Sequence, residues 1–262
     1  MELKIFQIDA FANRPFEGNP AAVCPLQEWL SDQMMQSIAE ENNLSETAFF
    51  VPQDGGFHIR WFTPSAEVDL CGHATLATAF VLYELLGYRK KQIAFHSRSG
   101  LLTVVKREHR YVLDFPAQPP SICTIPDEIL QAFKTPPREC FKAEDYLVVF
   151  ESESAITSAH PDLEILKKLA LRGLIITAPS QRYDFVARFF APKYGIPEDP
   201  VTGSAFTQLA PYWAKKLGKN ELKAKQLSKR GGEVGCQLKG DRVLISGGAV
   251  KFMEGTLTLE EI

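Results

Sequence analysis

The sequence lacks the features of a membrane or nucleic-acid-binding protein. It has no run of about 18 apolar residues, the length that a transmembrane helix needs. Met1 leads directly into LKIFQIDAF without the layout of a signal peptide. The formal net charge of -3 provides no basic field to attract nucleic acid or anionic lipid. We therefore expect a soluble, cytoplasmic protein with neither a membrane nor a nucleic-acid partner.

Cysteine and histidine patterns are also missing. The five cysteines are widely spaced with no Cys-x-x-Cys pair, and the five histidines form no His-Glu-x-x-His pattern. Disulfide frameworks and zinc sites depend on such regular spacing. We therefore expect no disulfide framework and no structural or catalytic metal.

What the sequence does contain is an internal duplication. Residues 60–87 read RWFTPSAEVDLCGHATLATAFVLYELLG, and residues 188–218 read RFFAPKYGIPEDPVTGSAFTQLAPYWAKKLG. Each copy has a short strand, a proline-bearing loop and a helix that opens on small residues. Residues 37–52 and 164–179 match at an offset of 127, where Glu46 of the first copy has Gly173 as its equivalent. Duplication of this kind predicts two similar lobes that face each other across a cleft.

The duplication sets the predicted fold. A chain of 262 residues with 45% hydrophobic content is large enough for two domains, each with its own core. We predict an α+β protein with two pseudo-symmetric lobes, each a curled mixed sheet around a buried central helix. The proline-rich residues 115–120 break any pairing, so the lobes are expected to cover 1–116 and 117–262. A last short strand at 257–259 is a candidate to return to the first lobe.

The two duplicated helix starts are candidate sites for an anionic substrate. Unpaired backbone N–H groups and a partial positive charge at a helix N-terminus bind carboxylates and oxyanions. Helices that open at Gly72-His73 and Gly203-Ser204 would hold such a group between them, and glycine lets the backbone come close. Alternatively these glycines only permit a tight helix entry, but their duplication favours the binding role.

Nearby side chains are candidates for proton transfer. Glu46 precedes an apolar run, and apolar neighbours raise the pKa of a carboxyl toward neutrality, where it can serve as a general acid or base. The alternative is a solvated charge at a strand edge. His73 could polarise a carbonyl or shuttle a proton, or be a structural group. Cys71 precedes a helix start, which favours a thiolate, although free cysteines are commonly small buried hydrophobes. Asp199 could orient His73 or the substrate, or cap the following turn.

Six ordered motifs resemble one known family. The motifs are NPAAVC at 19–24, NLSETAFF at 43–50, RWFTP at 60–64, DLCGHATLA at 69–77, EDPVTGSA at 198–205 and RGGEVG at 230–235. Together they resemble the PhzF-like phenazine-biosynthesis family, which has the diaminopimelate epimerase fold. The resemblance covers essentially the whole chain.

The resemblance implies a site between the two lobes and a homodimer. The characterised phenazine member isomerises trans-2,3-dihydro-3-hydroxyanthranilate without cofactor or metal, and its proton-transferring glutamate maps onto Glu46. Its histidine, aspartate and serine partners map onto His73, Asp199 and Ser204. Backbone amides at both helix starts would hold the substrate carboxylate or stabilise enolate-like charge. The predicted substrate-binding residues are Gly72, Gly203, Thr202 and Cys71.

The related epimerases use two cysteines, one on each central helix, to act on opposite faces of a carbon. Here Cys71 supplies the first, but the corresponding stretch of the second copy reads as Pro200-Val201. We therefore predict a cofactor-independent isomerase that moves a proton on a small carboxylic acid, with Glu46 as acid and base. Two alternatives stay open: a racemase or epimerase that uses Cys71 with Glu46, and a non-catalytic module that binds a small molecule or a protein.

Overall fold

The computed structural model describes residues 1–259 and shows a mixed α+β protein with many strands and few helices. The strands are β1 (Glu2–Ala10), β2 (Asn19–Pro25), β3 (Glu46–Gln53), β4 (Gly56–Phe62), β5 (Glu67–Val68), β6 (Gln92–Ser97), β7 (Gly100–Arg107), β8 (Arg110–Pro116), β9 (Ser121–Ile122), β10 (Glu139–Lys142), β11 (Tyr146–Val149), β12 (Leu174–Pro179), β13 (Phe185–Ala191), β14 (Ile196–Asp199), β15 (Glu221–Gln226), β16 (Gly232–Lys239), β17 (Arg242–Gly247) and β18 (Ala249–Thr258). The α-helices are α1 (Asp32–Asn42), α2 (Gly72–Phe80), α3 (Asp127–Ala132), α4 (Glu153–Thr157), α5 (Leu163–Leu166) and α6 (Phe206–Leu217).

The chain divides into two compact units. The first contains Met1–Asp114 together with the chain from Ser246 onward, and the second contains Phe115–Ile245. The predicted limits of 1–116 and 117–262 therefore differ at the C-terminal end, because β18 pairs antiparallel with the whole of β1. This strand is longer than the predicted 257–259. Most of its side chains are exposed, so it lacks the apolar alternation that marks a half-buried strand in a sequence.

Both units contain the same run of strand pairings. In the first unit β2 and β3 are parallel, β3 and β4 antiparallel, β4 and β6 parallel, and β6 and β7 antiparallel. In the second unit β11, β12, β13, β15 and β16 repeat this alternation in the same order. A short strand joins the third strand in each case, β5 on β4 and β14 on β13. The duplication in the sequence is thus also a duplication of strand pairing.

Helix α1 begins after its N-cap residue Ser31 and ends shortly before Glu46. The Ser31 hydroxyl accepts a hydrogen bond from the Met34 backbone N–H at 3.2 Å, which satisfies one of the unpaired donors of the first turn. Asn43 ends the helix in the left-handed region, with φ 47°, and its N–H donates to the Ala39 carbonyl. Three residues later Glu46 opens β3.

Helix α2 is buried from Gly72 to Ala79 and packs against β1, β2 and β3. The hydroxyls of Thr75 and Thr78 donate to backbone carbonyls one turn earlier, so these polar side chains are satisfied inside the apolar interior. The helix continues as a π-helical turn, Val81–Leu85, and Gly87 follows with φ 71°, a left-handed conformation that favours glycine after a helix end.

The helix of the second copy starts differently from the prediction. A 3₁₀ turn, Gly203–Ala205, precedes α6, so the α-helix itself begins three residues after Gly203. The Ala205 N–H donates to the Thr202 carbonyl at 3.1 Å, which is the tighter spacing of a 3₁₀ turn. Gly218 ends α6 with φ 67°.

Each unit has its own apolar core. One core cluster of the first unit contains Leu3, Ile5, Ala22, Cys24, Leu26, Met35, Ile38, Ala39, Phe49, Val51 and Phe62. A core cluster of the second unit contains Ile129, Ala132, Phe133, Cys140, Val148, Phe150, Ile156, Ala159, Leu166, Leu169, Leu174, Ile176, Ala178, Val186 and Phe190. None of the helices in residues 1–259 combines the length and the apolar character needed to cross a bilayer.

Candidate active site

In the first unit, Glu46 and His73 lie next to each other. Glu46 is the first residue of β3, and the parallel register places it opposite Ala21 of β2. His73 is the second residue of α2, which packs on both of these strands. Glu46 Oε2 is 3.2 Å from His73 Nε2, and the two side chains are only 13% and 5% exposed. A carboxyl group and an imidazole are therefore in contact and largely shielded from bulk water.

The imidazole of His73 is neutral. Its distance to Glu46 is that of an ion pair, but burial lowers the pKa of His73 from 6.5 to about 3, because the interior disfavours the charged ring. The pKa decides between the two descriptions, since an ion pair would require a proton that burial removes. The contact is therefore between a carboxyl group and a neutral ring.

A chain of three side chains decides which nitrogen of His73 carries the proton. Ser45 Oγ donates to Asn19 Oδ1 at 3.0 Å, which directs the amide Nδ2 of Asn19 toward the ring. Asn19 Nδ2 is 3.3 Å from His73 Nδ1. With Nδ2 toward the ring the Asn19 amide donates and Nδ1 accepts, which assigns the ring proton to Nε2. The imidazole proton is therefore assigned to the nitrogen beside the Glu46 carboxyl, where the 3.2 Å contact lacks the geometry of a hydrogen bond.

Cys71 completes a compact group with these side chains. It is the N-cap of α2, and its Sγ is 3.5 Å from His73 Nδ1. One ligand atom from each of Glu46, Cys71 and His73 lies within 4.8 Å of the other two, so these three residues could hold a metal ion. The partial positive charge at the start of α2 opposes a cation there. The expectation of no metal stays a prediction.

In the second unit, Asp199 and Thr202 are joined in one hydrogen-bonded turn. Asp199 ends β14, and Thr202 Oγ1 donates to Asp199 Oδ2 at 2.5 Å. The buried Gln226 fixes the turn from the neighbouring strand: its Oε1 accepts from the Thr202 N–H at 3.0 Å, and its Nε2 donates to the Asp199 carbonyl at 2.8 Å. The Asp199 side chain therefore has a defined position whether or not it acts chemically.

Ser204 is held by a second, charged network. Arg172 Nη2 donates to Ser204 Oγ at 3.1 Å and to Asp145 Oδ2 at 2.6 Å, while Arg172 Nε donates to Asp145 Oδ1 at 2.9 Å. Asp145 is fully buried and also accepts from Gln208 Nε2 at 3.0 Å. A guanidinium group only donates, so Ser204 Oγ accepts here and its own O–H proton is available to another acceptor.

The structure also corrects the equivalence between the two copies. Thr202 caps the 3₁₀ turn before α6 just as Cys71 caps α2, so Thr202, and not Pro200-Val201, stands where the second epimerase cysteine would be. The second copy contains no cysteine at this place, and the argument against a two-thiol epimerase is unchanged.

The second copy has no room for a counterpart of Glu46. A Cβ atom at Gly173 would lie 2.6 Å from the ring of Phe189 and 2.9 Å from the carbonyl oxygen of Phe190. The preceding residue, Arg172, instead supplies a cation at the repeat position of Ser45. In this segment of the repeat, the first unit therefore has the carboxylate of Glu46 and the second unit has the guanidinium of Arg172.

The two arginines of the duplicated motif form structural pairs that we call the Arg–Glu brackets. Arg60 on β4 makes two hydrogen bonds of 2.7 Å to Glu67 on β5. Arg188 on β13 makes bonds of 2.6 Å and 3.0 Å to Glu198 on β14. Each bracket ties the short strand before the candidate helix to its neighbour. Such planar, two-bond pairs fix direction as well as distance.

The predicted residues thus form one group in each unit. Glu46, Cys71, Gly72 and His73 lie together in the first unit, and Asp199, Thr202, Gly203 and Ser204 lie together in the second. Four further side chains of these two groups were not predicted from the sequence: Asn19, Ser45, Arg172 and Gln226. Asn19 opens the first motif of the resemblance, and Arg172 precedes the glycine that replaces Glu46, so both had a signal in the sequence. Gln226 had none.

Comparison with known proteins assigns the family. The profile of the PhzC-PhzF family, described as phenazine biosynthesis-like protein, matches residues 8–255. This chain belongs to the PhzC-PhzF family, and the resemblance read from its motifs is confirmed.

Relatives agree over the full length. An uncharacterized isomerase of Pseudomonas aeruginosa is 54% identical over 259 residues, covering 99% of this chain and 100% of the relative. Phenazine biosynthesis-like domain-containing protein 1 of Mus musculus is 42% identical over 287 residues, covering 98% and 100%. The crystal structure of a PhzF-family phenazine biosynthesis protein from Enterococcus faecalis matches with a TM-score of 0.97 and 46% identity, covering 99% and 100%.

A more distant structure shows the breadth of the fold. A hydroxyproline epimerase of Agrobacterium vitis matches with a TM-score of 0.63 at 8% identity, covering 99% of this chain and 93% of its own. At this identity the match shows the fold alone. The fold is therefore shared with an epimerase, in agreement with the expectation of an epimerase-like fold.

Proposed function

We propose that this chain is a cofactor-independent isomerase that moves a proton on a small carboxylic acid, with Glu46 as the acid and base. The observation that carries the proposal is the 3.2 Å contact between the Glu46 carboxyl and the proton-bearing Nε2 of a neutral His73. The names of close relatives, uncharacterized isomerases at 54% and 51% identity, support the reaction class.

Glu46 takes a proton from one carbon of the substrate and returns it to another. A single carboxyl that does both needs a neighbour that stabilises its ionised form without being an acid itself. His73 Nε2 lies 3.2 Å from Glu46 Oε2, so a proton on this nitrogen stabilises the negative charge of the Glu46 carboxylate through space. The low pKa of His73 prevents the ring from taking up a second proton near neutral pH. His73 therefore tunes Glu46 and is not the base.

The substrate would bind at the start of α2 and at the 3₁₀ turn that precedes α6. The backbone N–H groups of Gly72 and His73 and those of Gly203 and Ser204 suit a carboxylate or a developing enolate. The Ser204 hydroxyl can donate to the same charge, because Arg172 already occupies its oxygen as a donor. Asp199, held in place by Thr202, would orient the substrate.

The finer architecture is part of the same proposal. It consists of two pseudo-symmetric diaminopimelate epimerase-like domains whose two groups of residues act on one substrate molecule, and of a homodimer. The repeated pairing order of the strands and the family membership support it.

The site geometry argues against the racemase alternative. Two bases on opposite faces of one carbon each need to lie about 3 to 3.5 Å from it, so they must be roughly 6 Å or more apart. Ligand atoms of Glu46 and Cys71 lie within 4.8 Å of each other, with His73 beside both. The Glu46 and Cys71 atoms are therefore closer together than two opposed bases require.

A solvent-exchange screen tests the function. Pooled small carboxylic and amino acids are incubated in deuterated water with wild type, Glu46→Gln and the exposed α1 control Glu41→Gln, and deuterium at carbon is followed by NMR. We expect exchange with wild type and the control, and a loss of about 10²-fold or more in Glu46→Gln.

The other outcomes separate the alternatives. Exchange at the wild-type rate in Glu46→Gln would refute the assigned base, and its loss only in Cys71→Ser would make the thiol the base. Saturable binding of a pool member without exchange at any carbon would instead support the non-catalytic binding module.

A further inference from the structure

Cys123 and Cys140 lie opposite each other on two paired strands of the second unit. The strands β9 and β10 pair antiparallel, with Ile122 opposite Phe141. One further step in the same register brings Cys123 opposite Cys140, and the Cys123 N–H donates to the Cys140 carbonyl at 2.9 Å. The two Sγ atoms are 3.4 Å apart. Directly opposed residues on antiparallel strands project side chains from the same face.

This geometry permits a disulfide without rebuilding the backbone. Opposed residues that share backbone hydrogen bonds have Cα atoms about 5.5 Å apart, which lies within the range of about 4.4 to 6.8 Å found for disulfides. The sulfur atoms need only rotate about the side-chain bonds to close the remaining gap. The two cysteines are 17 residues apart in the chain, so their proximity comes from the pairing of β9 with β10 and not from a Cys-x-x-Cys motif.

From these contacts we infer that Cys123 and Cys140 are a redox modification site, at which a peroxide or a small disulfide converts the two thiols into a reversible disulfide. The inference does not depend on the proposed isomerase activity.

The two cysteines differ in access. Cys123 is half-buried and follows the exposed Ile122, whereas Cys140 is buried in the core cluster of the second unit. Burial and then the neighbouring Cys123 raise the pKa of Cys140 to about 12, so Cys140 is a poor first nucleophile. Cys123 therefore reacts with the oxidant first, and Cys140 then forms the disulfide with the oxidised Cys123.

With hydrogen peroxide the steps balance. The Cys123 thiolate attacks one peroxide oxygen, the S–O bond forms, the O–O bond breaks, and hydroxide leaves. The Cys140 sulfur then attacks the sulfenic sulfur, the S–S bond forms, the S–O bond breaks, and the leaving oxygen and the Cys140 proton depart as water. Two thiols lose two electrons in total, and the peroxide gains them.

A disulfide between Cys123 and Cys140 would close a loop that contains α3. Residues 123–140 contain this helix, and α3 contributes Ile129 and Ala132 to the core of the second unit. A covalent closure of this length reduces the freedom of the unfolded chain and stabilises the folded unit. Oxidation is therefore expected to raise the melting temperature of the protein.

Peptide mapping of peroxide-treated protein tests the inference. Wild type, Cys123→Ser and Cys140→Ser are treated with hydrogen peroxide or oxidised glutathione, alkylated under denaturing conditions and digested. We expect a linked peptide pair in wild type alone, a mass decrease of about 2 Da, and restoration by dithiothreitol. The melting temperature should rise on oxidation of wild type and not of either variant.

The buried cysteines Cys24 and Cys236 serve as internal controls, because they should remain alkylatable after treatment. Full alkylation of Cys123 and Cys140 after treatment would overturn the inference. So would a disulfide that joins two chains, or separate glutathione adducts or sulfinic acids on Cys123 in place of the linked pair.

Discussion

Asn19 and His73 are separated by 54 residues in the chain, yet Asn19 Nδ2 lies 3.3 Å from His73 Nδ1. The amide is itself oriented by Ser45, which directly precedes Glu46. The side chain that sets the protonated nitrogen of the imidazole is thus linked to the residue next to the proposed base.

Replacement of Asn19 by aspartate should move the ring proton of His73. The carboxylate can only accept, so it favours a proton on Nδ1 and leaves the Nε2 lone pair facing Glu46. We expect ¹⁵N NMR of the histidine ring to report this change of tautomer, and isomerase turnover to fall by about 10-fold or more. Asn220→Asp, an exposed site with the same charge change, should alter neither. An unchanged tautomer in Asn19→Asp would contradict the assignment.

Protonation of His73 should make the protein less stable in acid. The pKa of His73 is about 3 in the folded protein and 6.5 in the unfolded chain, so between these values the unfolded chain binds more protons. The neutral His73 ring therefore contributes stability to the folded protein that is complete above about pH 6.5 and is lost as the pH falls toward 3. We expect wild type to lose roughly 3 kcal/mol more than His73→Gln between pH 7 and pH 4 in urea denaturation. Parallel losses in the two proteins would count against a buried neutral ring.

Removal of Arg172 should leave a buried charge without compensation. In Arg172→Met the fully buried Asp145 keeps only neutral hydrogen-bond donors such as Gln208, and we expect a loss of about 3–5 kcal/mol in the free energy of unfolding. The double variant with Asp145→Asn should recover part of this loss, since it removes the charge. Lys167→Ala, which breaks an exposed ion pair with Glu164, should cost at most about 0.5 kcal/mol. Additive effects of the two core substitutions would disprove the coupling.

Any side chain at Gly173 should destabilise the second unit. A methyl group on its Cα would lie 2.9 Å from a backbone oxygen, which cannot move away as a side chain could. We expect Gly173→Ala to cost about 1–3 kcal/mol of unfolding free energy. Gly255→Ala is the matched control, because its nearest neighbour would be 3.8 Å away. Tolerance of Gly173→Ala at wild-type stability would show that the second unit could accept a carboxylate after all.

Local signals in the sequence predicted several secondary-structure elements and their repetition in the two units. Gly72 begins a buried helix as predicted, and the two motif copies occupy equivalent strands and helices. These features depend on residues close in sequence or on a repeated pattern. The motif resemblance then placed Glu46 and His73 in one site, where the structure brings them together.

Long-range partners could not be predicted in the same way. The contacts Asn19–His73, Arg172–Ser204 and Cys123–Cys140 depend on strand register and on loop lengths that no periodicity encodes. The equivalence of Cys71 and Thr202, by contrast, follows from pairing Gly72 with Gly203, and the comparison with Pro200-Val201 did not apply that pairing. The mostly exposed β18 shows no apolar alternation, so its length and its return to the first unit were only partly visible.

The Arg–Glu brackets have a consequence for how new activities can arise on this frame. Arg60–Glu67 and Arg188–Glu198 hold the short strands before both helices, while the residues at positions 46, 73, 173 and 204 lie outside these pairs. The Arg–Glu pair is present in both copies, whereas the proposed reactive positions differ between them. Substitutions at the reactive positions can therefore change the reaction while the supporting pairs stay in place, which makes the frame a starting point for catalysts of a different chemistry.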